Sequence, residues 1–257
     1  MMMLSFFNKI KKCLNLSFEL ARISFKIRNE GSFLGLAWYL LNPLAAFGLL
    51  LFLFFDNLGS QIDYYPVYLL VGVIIFNFFQ QATTESSLAV IDNAALIRSV
   101  NFPREALIIS IIIKNIFSHL LELVILIVLI VAMGLPFVGI IYYLPVLLLL
   151  AIFTLGVCFI LSSLTIYCLD LANIWNFFCR LLWLGTPIFY TVVDQPRLIM
   201  VNRFNPMYYF VSLARQILMP LRLEIGYGVA AIFYSLVCLM IGWFLFNRLK
   251  RKFAERI

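Results

Sequence analysis

The sequence predicts an all-α integral membrane protein, and three observations carry that prediction. Leu36–Phe55 and Tyr64–Thr84 run for 20 and 21 residues without Asp, Glu, Lys, Arg or His. Leu123–Leu169 and Ile225–Asn247 do the same for 47 and 23 residues. A helix crossing the hydrocarbon core needs about 20 apolar residues, so runs of this length are bilayer spans. Finally, 64% of the residues are hydrophobic, and almost every charge falls between the runs.

Residues 1–35 precede the first run and read as a cytoplasmic amphipathic helix. Asn8, Lys12, Asn15, Glu19, Arg22, Lys26 and Asn29 recur at steps of three and four, which gathers them into one narrow polar stripe. Phe7, Ile10, Leu14, Phe18, Ile23 and Ile27 are among the apolar residues that cover the rest of the circumference. A helix of this kind beside a span lies along the membrane surface with its apolar side buried. Glu30-Gly31-Ser32 then ends the helix and turns the chain inward.

Residues 36–247 form the membrane domain. Spans one and two are 36–55 and 64–84. The 47-residue run would reach about 70 Å as one helix, far more than a bilayer. Gly134, Pro136, Gly139 and Pro145 cluster where it must turn, so it divides between spans three and four, 106–133 and 142–167. Span five is 171–193, interrupted by Arg180 and bent or ended near Pro187, and span six is 225–247. Six spans put both termini on one side. The segment 1–35, the loop 85–105 and the tail 248–257 hold 13 of the 19 basic residues, so by the positive-inside rule both termini are cytoplasmic. The external segment 194–224 runs against the rule with Arg197, Arg203, Arg215 and Arg222. These arginines anchor headgroups or meet an anionic substrate.

The net charge of +7 reflects this asymmetry and contact with anionic lipid; there is no basic domain to hold nucleic acid. The spacings of the five cysteines match neither a metal site nor a disulfide framework, which makes them packing residues. The N-terminal apolar residues are interleaved with lysines and lack a small-residue cleavage pattern, so no cleavable signal is expected.

Polar groups at membrane depth are the first candidates for function. In span three, Asn115, His119 and Glu122 fall within about 60° of one another on a helical wheel, with Ser118 adjacent and Lys114 nearby. Such a stripe must face protein or water. It is either the lining of a pathway or an interhelical hydrogen-bond cluster; a proton relay is disfavoured, because His119 is the sole histidine. Arg180 needs a carboxylate, a carbonyl or a phosphate-bearing ligand, and Glu122 is a possible partner. Trp38, Tyr39, Tyr64, Tyr65, Tyr68, Trp175, Trp183, Tyr208 and Tyr209 read as interfacial belts. Phe177, Phe178, Phe189 and Tyr190 are either packing residues or rings that stack on sugars in a channel.

Catalytic constellations are missing from the sequence. It has no G-x-x-x-x-G-K-[ST] loop to cradle ATP phosphates, no H-E-x-x-H and no G-x-S-x-G. A membrane-embedded sugar transferase would need clustered acids or a phosphate loop. A proton-coupled carrier would want an inverted repeat and more intramembrane carboxylates.

A set of ordered motifs resembles the permeases of type-2 ABC exporters, and more closely those that export O-antigen, capsular polysaccharide or teichoic acid. The motifs are Lys26-Ile27-Arg28, Ser32, Leu34-Gly35, Trp38, Asn42-Pro43, Leu96–Glu105, Pro187–Tyr190, Asn205-Pro206 and the basic tail Arg248–Phe253. They run in order over nearly the whole chain. One departure is Leu169 before Asp170, where relatives often have Arg-Asp. The resemblance implies a permease that is not itself an enzyme, working as a homodimer with two separate ATPase subunits in a bacterial inner membrane. ATP and Mg would bind the partner, with no cofactor on this chain. The substrate would be an undecaprenyl-linked polysaccharide, moved through a channel between two copies. It also implies an external re-entrant helical hairpin in 194–224. Arg98, Phe102, Pro103, Arg104, Glu105 and Asp170 would couple to the ATPase, while Phe177, Phe178, Arg180, Phe189 and Tyr190 would line the channel. An exporter of a drug or a simple lipid is the alternative.

Overall fold

A computed structural model describes residues 2–29, 37–59, 62–100, 102–192 and 195–253. The elements are α1 (Met2–Asn29), α2 (Ala37–Leu58), α3 (Tyr65–Asp92), α4 (Ala94–Ser99), α5 (Glu105–Ala132), α6 (Gly139–Thr165), α7 (Asp170–Gly185), α8 (Pro196–Asn202), α9 (Pro206–Leu218) and α10 (Ile225–Leu249), followed by a 3-10 turn at Lys250–Lys252. Among the described residues there is no strand. Four helices, α3, α5, α6 and α10, are long and apolar enough to cross a membrane, and α2 carries a shorter apolar stretch, Leu40–Asp56. The chain is a multi-pass membrane protein.

One helix end moves from the sequence reading and another falls at the expected proline. Span two was expected to end at Thr84, but α3 continues to Asp92, which places Glu85 inside the helix. Glutamate is a good helix former and does not stop the helix, and Lys114 and Asn115 of α5 take up its two oxygens. Span five was expected over 171–193, bent or ended near Pro187, and α7 stops at Gly185. Thr186 is extended (φ −81°, ψ 133°), the conformation that the following Pro187 imposes on the residue before it. The expected turn between spans three and four is present. Gly134 adopts φ 72°, its N–H donates to Val131 O at 3.0 Å, and Leu135 N donates to Ile130 O at 3.0 Å. These paired bonds satisfy the last carbonyls of α5, and the left-handed position suits glycine.

α3 is the central post. Val67, Leu70, Val71, Ile74, Ile75, Phe76 and Phe79 are buried, and α2, α5, α6, α7 and α9 pack around it. α10 stands outside and packs chiefly on α6. A Cβ on Gly242 would collide with the backbone of Gly156, and one on Gly156 with the backbone at Cys238, so the two helices approach at backbone distance. Ser235 Oγ shares its proton between Leu149 O across this seam at 2.9 Å and Ala231 O of its own helix at 2.7 Å.

α1 lies against α5. Ser17 and Ala21 are buried on the face opposite the polar stripe, while Leu14, Phe18, Ile23 and Ile27 are exposed on its flanks. Small residues let the helices approach, and the exposed apolar flanks suit the acyl boundary. The break expected at Glu30-Gly31-Ser32 lies outside the described residues.

The region expected to hold a hairpin contains two short helices. α9 buries Met207, Phe210, Val211, Ala214, Arg215 and Leu218 on one face, against α3, α6 and α10. Its start is fixed by Asn205, whose side chain accepts from Met207 N at 3.0 Å and donates to Thr186 Oγ1 at 2.9 Å. Pro206 at the first turn costs no hydrogen bond.

Candidate functional site

The polar stripe of α5 faces protein. Asn115, Ser118, His119 and Glu122 are all buried. Asn77 Nδ2 of α3 donates to Glu122 Oε1 at 2.5 Å. His119 Nδ1 lies 3.2 Å from Glu122 Oε2, and its Nε2 lies 2.8 Å from Tyr143 Oη of α6. A carboxylate only accepts, so the proton belongs on Nδ1, and Nε2 accepts from the tyrosine hydroxyl. Phe78 meets the imidazole edge-on at 5.5 Å. Ser118 Oγ turns back to Lys114 O at 3.2 Å, and Lys114 pairs with Glu85. The cluster joins α3, α5 and α6. It also corrects the pairing considered for Glu122: both its oxygens are engaged here, and Arg180 is not among their partners.

A second polar knot was not legible in the sequence. Arg215, read there as external, is buried with 3% of its surface exposed. Its Nη1 donates to Pro187 O at 2.7 Å, Nη2 to Ile188 O at 2.7 Å and Nε to Tyr68 O at 3.1 Å. The guanidinium carbon sits 3.3 Å from the Tyr68 ring centroid. Tyr65 Oη donates to Phe189 O at 3.1 Å and Tyr68 Oη to Tyr190 O at 2.8 Å. The carbonyls of 187 to 190 therefore all have side-chain donors. Irregular backbone inside a membrane protein demands this, since each carbonyl left bare costs about 1–3 kcal/mol.

The four rings proposed for a channel separate into different roles. Phe189 stacks on Phe54 of α2 at 5.0 Å and tilts against Trp183 at 5.8 Å. The Tyr190 hydroxyl donates to Gly185 O at 2.9 Å and Leu184 O at 3.1 Å, closing the end of α7. Phe178 lines an apolar cavity of about 320 Å³ with Phe79, Trp175, Phe204 and Cys238. Phe177 points elsewhere, into a polar groove of about 300 Å³ with Gln80, Asn173, Asn176 and Arg180. Residues 173, 176, 177 and 180 share one helical face, whereas 178 lies about 100° away, so adjacent phenylalanines serve different surfaces.

The end of the molecule that carries α4 is bound to the tail. Lys250 pairs with Glu105 and donates to Asn247 Oδ1 at 2.5 Å, while Arg104 lies 6.0 Å from the ring centroid of buried Phe253. Burial, and then the carboxylate of Glu105, push the Cys13 thiol of α1 above its usual range. Arg98, Phe102 and Arg104 line a polar hollow of about 330 Å³. Pro103 and Asp170 are exposed.

Sequence comparison meets this architecture. Residues 17–219 match the ABC-2 type transporter family. The chain belongs to that family. It is 28% identical over 233 residues to an O-antigen export system permease protein RfbA of Klebsiella pneumoniae, covering 90% of each chain. It is 28% identical over 246 residues to a permease of the same name from Myxococcus xanthus, covering 93% of this chain and 94% of the relative.

In this ABC-2 family member, sequence reasoning missed Asn77, Glu85 and Tyr143 as partners of the α5 stripe, and Arg215 as an internal residue. A signal existed for the α7 groove, because Asn173, Asn176 and Arg180 at steps of three and four place three polar groups on one face. None existed for Arg215, whose partners are backbone carbonyls of an irregular segment.

Proposed function

We propose that the chain is the membrane permease of an ATP-driven exporter that moves a lipid-linked polysaccharide of the O-antigen, capsule or teichoic acid type across a bacterial inner membrane. Two copies form the conduit, two separate ATPase subunits hold ATP and Mg, and both termini face the cytoplasm. In this reading α2 and α7 complete six crossings, and 194–224 forms the external hairpin. The observation that carries it is the exposed face of α7, where Asn173, Asn176, Phe177 and Arg180 lie side by side. Lipid tails tolerate such a face poorly, whereas a wet conduit for a sugar chain uses its carboxamides as hydrogen-bonding groups and its ring as a stacking surface. The full-length similarity to permeases named for O-antigen export supports the same substrate class.

A glycan chain is too long to be occluded by one subunit, so the work is threading. Rings and carboxamides that hold no single sugar firmly let the chain advance. Arg98, Phe102, Pro103 and Asp170 would receive the ATPase motion, with Arg104 and Glu105 anchoring that loop to the tail. Deleting the gene should remove long-chain glycan from the cell surface and leave lipid-linked chains inside the cell, with restoration by the wild-type chain. Unchanged surface glycan in the deletion strain refutes the assignment.

A further inference from the structure

Arg180 stands apart from the charges buried in the bundle. Lys114 is paired with Glu85, Glu122 is held by Asn77 and His119, Glu105 is held by Lys250, and Arg215 is spent on three carbonyls. No described residue gives Arg180 an ion pair or a hydrogen bond. It lies ten residues into α7, about 15 Å from the start of that helix, which in the six-crossing reading above puts it near the middle of a bilayer. Gln80, near the middle of α3, stands opposite.

We propose that this groove binds an oxyanion, a phosphate or carboxylate, carried by the exported substrate; the inference rests on the export reading above. The lining contains no acidic residue: Gln80, Asn173, Asn176, Phe177 and Arg180 on one side of the arginine, Trp183 and Leu184 on the other. Asn176 Oδ1 lies 3.1 Å from Thr84 Oγ1 and accepts its hydroxyl proton, which leaves the Asn176 amide N–H groups free to donate into the groove. A cation without a counter-ion at this depth gains most from an anion that brings its own charge, and a guanidinium binds phosphate or carboxylate through paired N–H bonds. The neighbouring carboxamides suit the hydroxyls of the sugars on either side. Neutral sugar would leave the guanidinium charge uncompensated, so the groove selects acidic substrates over neutral ones. Two sources carry this chemistry: the pyrophosphate that joins glycan to lipid, and acidic groups along the glycan.

The test uses the full-length chain in nanodiscs of zwitterionic phospholipid, titrated with farnesyl pyrophosphate, a polygalacturonate oligomer and a dextran oligomer of equal length. At least one anionic probe should bind about tenfold more tightly than dextran, as expected for a charge-assisted contact. Arg180→Gln should abolish that margin and Arg180→Lys should keep part of it. Asn173→Asp, which adds a carboxylate to the groove, should weaken anion binding as well and guards against a folding defect in a single variant. Preference for the pyrophosphate assigns the groove to the lipid link, and preference for polygalacturonate assigns it to the chain. Equal binding of all three probes, or an anion margin that survives Arg180→Gln, overturns the proposal. Surface glycan restored by the wild-type chain reads the export assignment separately, so failure of the binding test leaves that assignment standing.

Discussion

A methyl group on Gly72 would stand 2.8 Å from Nη2 of Arg215, so the glycine of α3 is the floor on which the arginine of α9 lies. The same methyl would come within 3.2 Å of the Cα of Ile188. The arginine cannot swing away cheaply, because its three hydrogen bonds fix it to Tyr68, Pro187 and Ile188. Gly72→Ala should therefore destabilise the protein by about 1–3 kcal/mol through overpacking. Arg215→Met should cost more, since it bares three carbonyls at once. Thermal unfolding in detergent reads both, and a Gly72→Ala melting point equal to wild type contradicts the close approach.

The seam between α6 and α10 depends on absent side chains. Gly156 and Gly242 meet backbone to backbone, and Ser235 adds its bond to Leu149 O. Gly242→Val should push α10 off α6 and expose the seam. Cysteines introduced at facing positions should cross-link readily in the wild type and slowly in this variant. Ser235→Ala should be milder, about 0.6 kcal/mol, the mean for interhelical hydrogen bonds in membranes.

The Asn77–Glu122–His119–Tyr143 cluster should behave as a unit. Glu122→Leu removes the acceptor of two donors from two helices, whereas Glu122→Gln keeps an oxygen for Asn77. The leucine variant should lose about 1–3 kcal/mol for each of the two buried donors it leaves unpaired, and the glutamine variant much less. A double-mutant cycle between Asn77 and Glu122 should show coupling of about 0.5–3 kcal/mol. Additive losses would make the cluster a coincidence of placement.

Charge reversal separates coupling from anchorage at the α4 end. Arg98 is exposed beside a hollow, so Arg98→Glu should leave the melting point unchanged and lower surface glycan several-fold if the ATPase docks there. Glu105→Lys should instead repel Lys250 and loosen the tail. A normal export level with Arg98→Glu removes this loop from the coupling surface.

The sequence alone determined the class of solvent and most of the helices. Uninterrupted apolar runs can be satisfied only by hydrocarbon, so a membrane protein followed from composition and spacing, and α5, α6 and α10 emerged within a few residues of their expected ends. Gly134 marked its turn because one residue there must have positive φ. The α1 stripe was readable because a helix repeats every 3.6 residues. Tertiary structure decided which polar groups meet. Glu85 of α3 meets Lys114 and Asn115, some thirty residues away in sequence. Likewise the carbonyls beyond α7, past the proline that ends it, are satisfied by a buried arginine of α9 and two tyrosines of α3. A buried polar group requires a partner, but sequence periodicity gives only the face it points from; the partner arrives from another helix, and only packing brings the two within hydrogen-bonding distance.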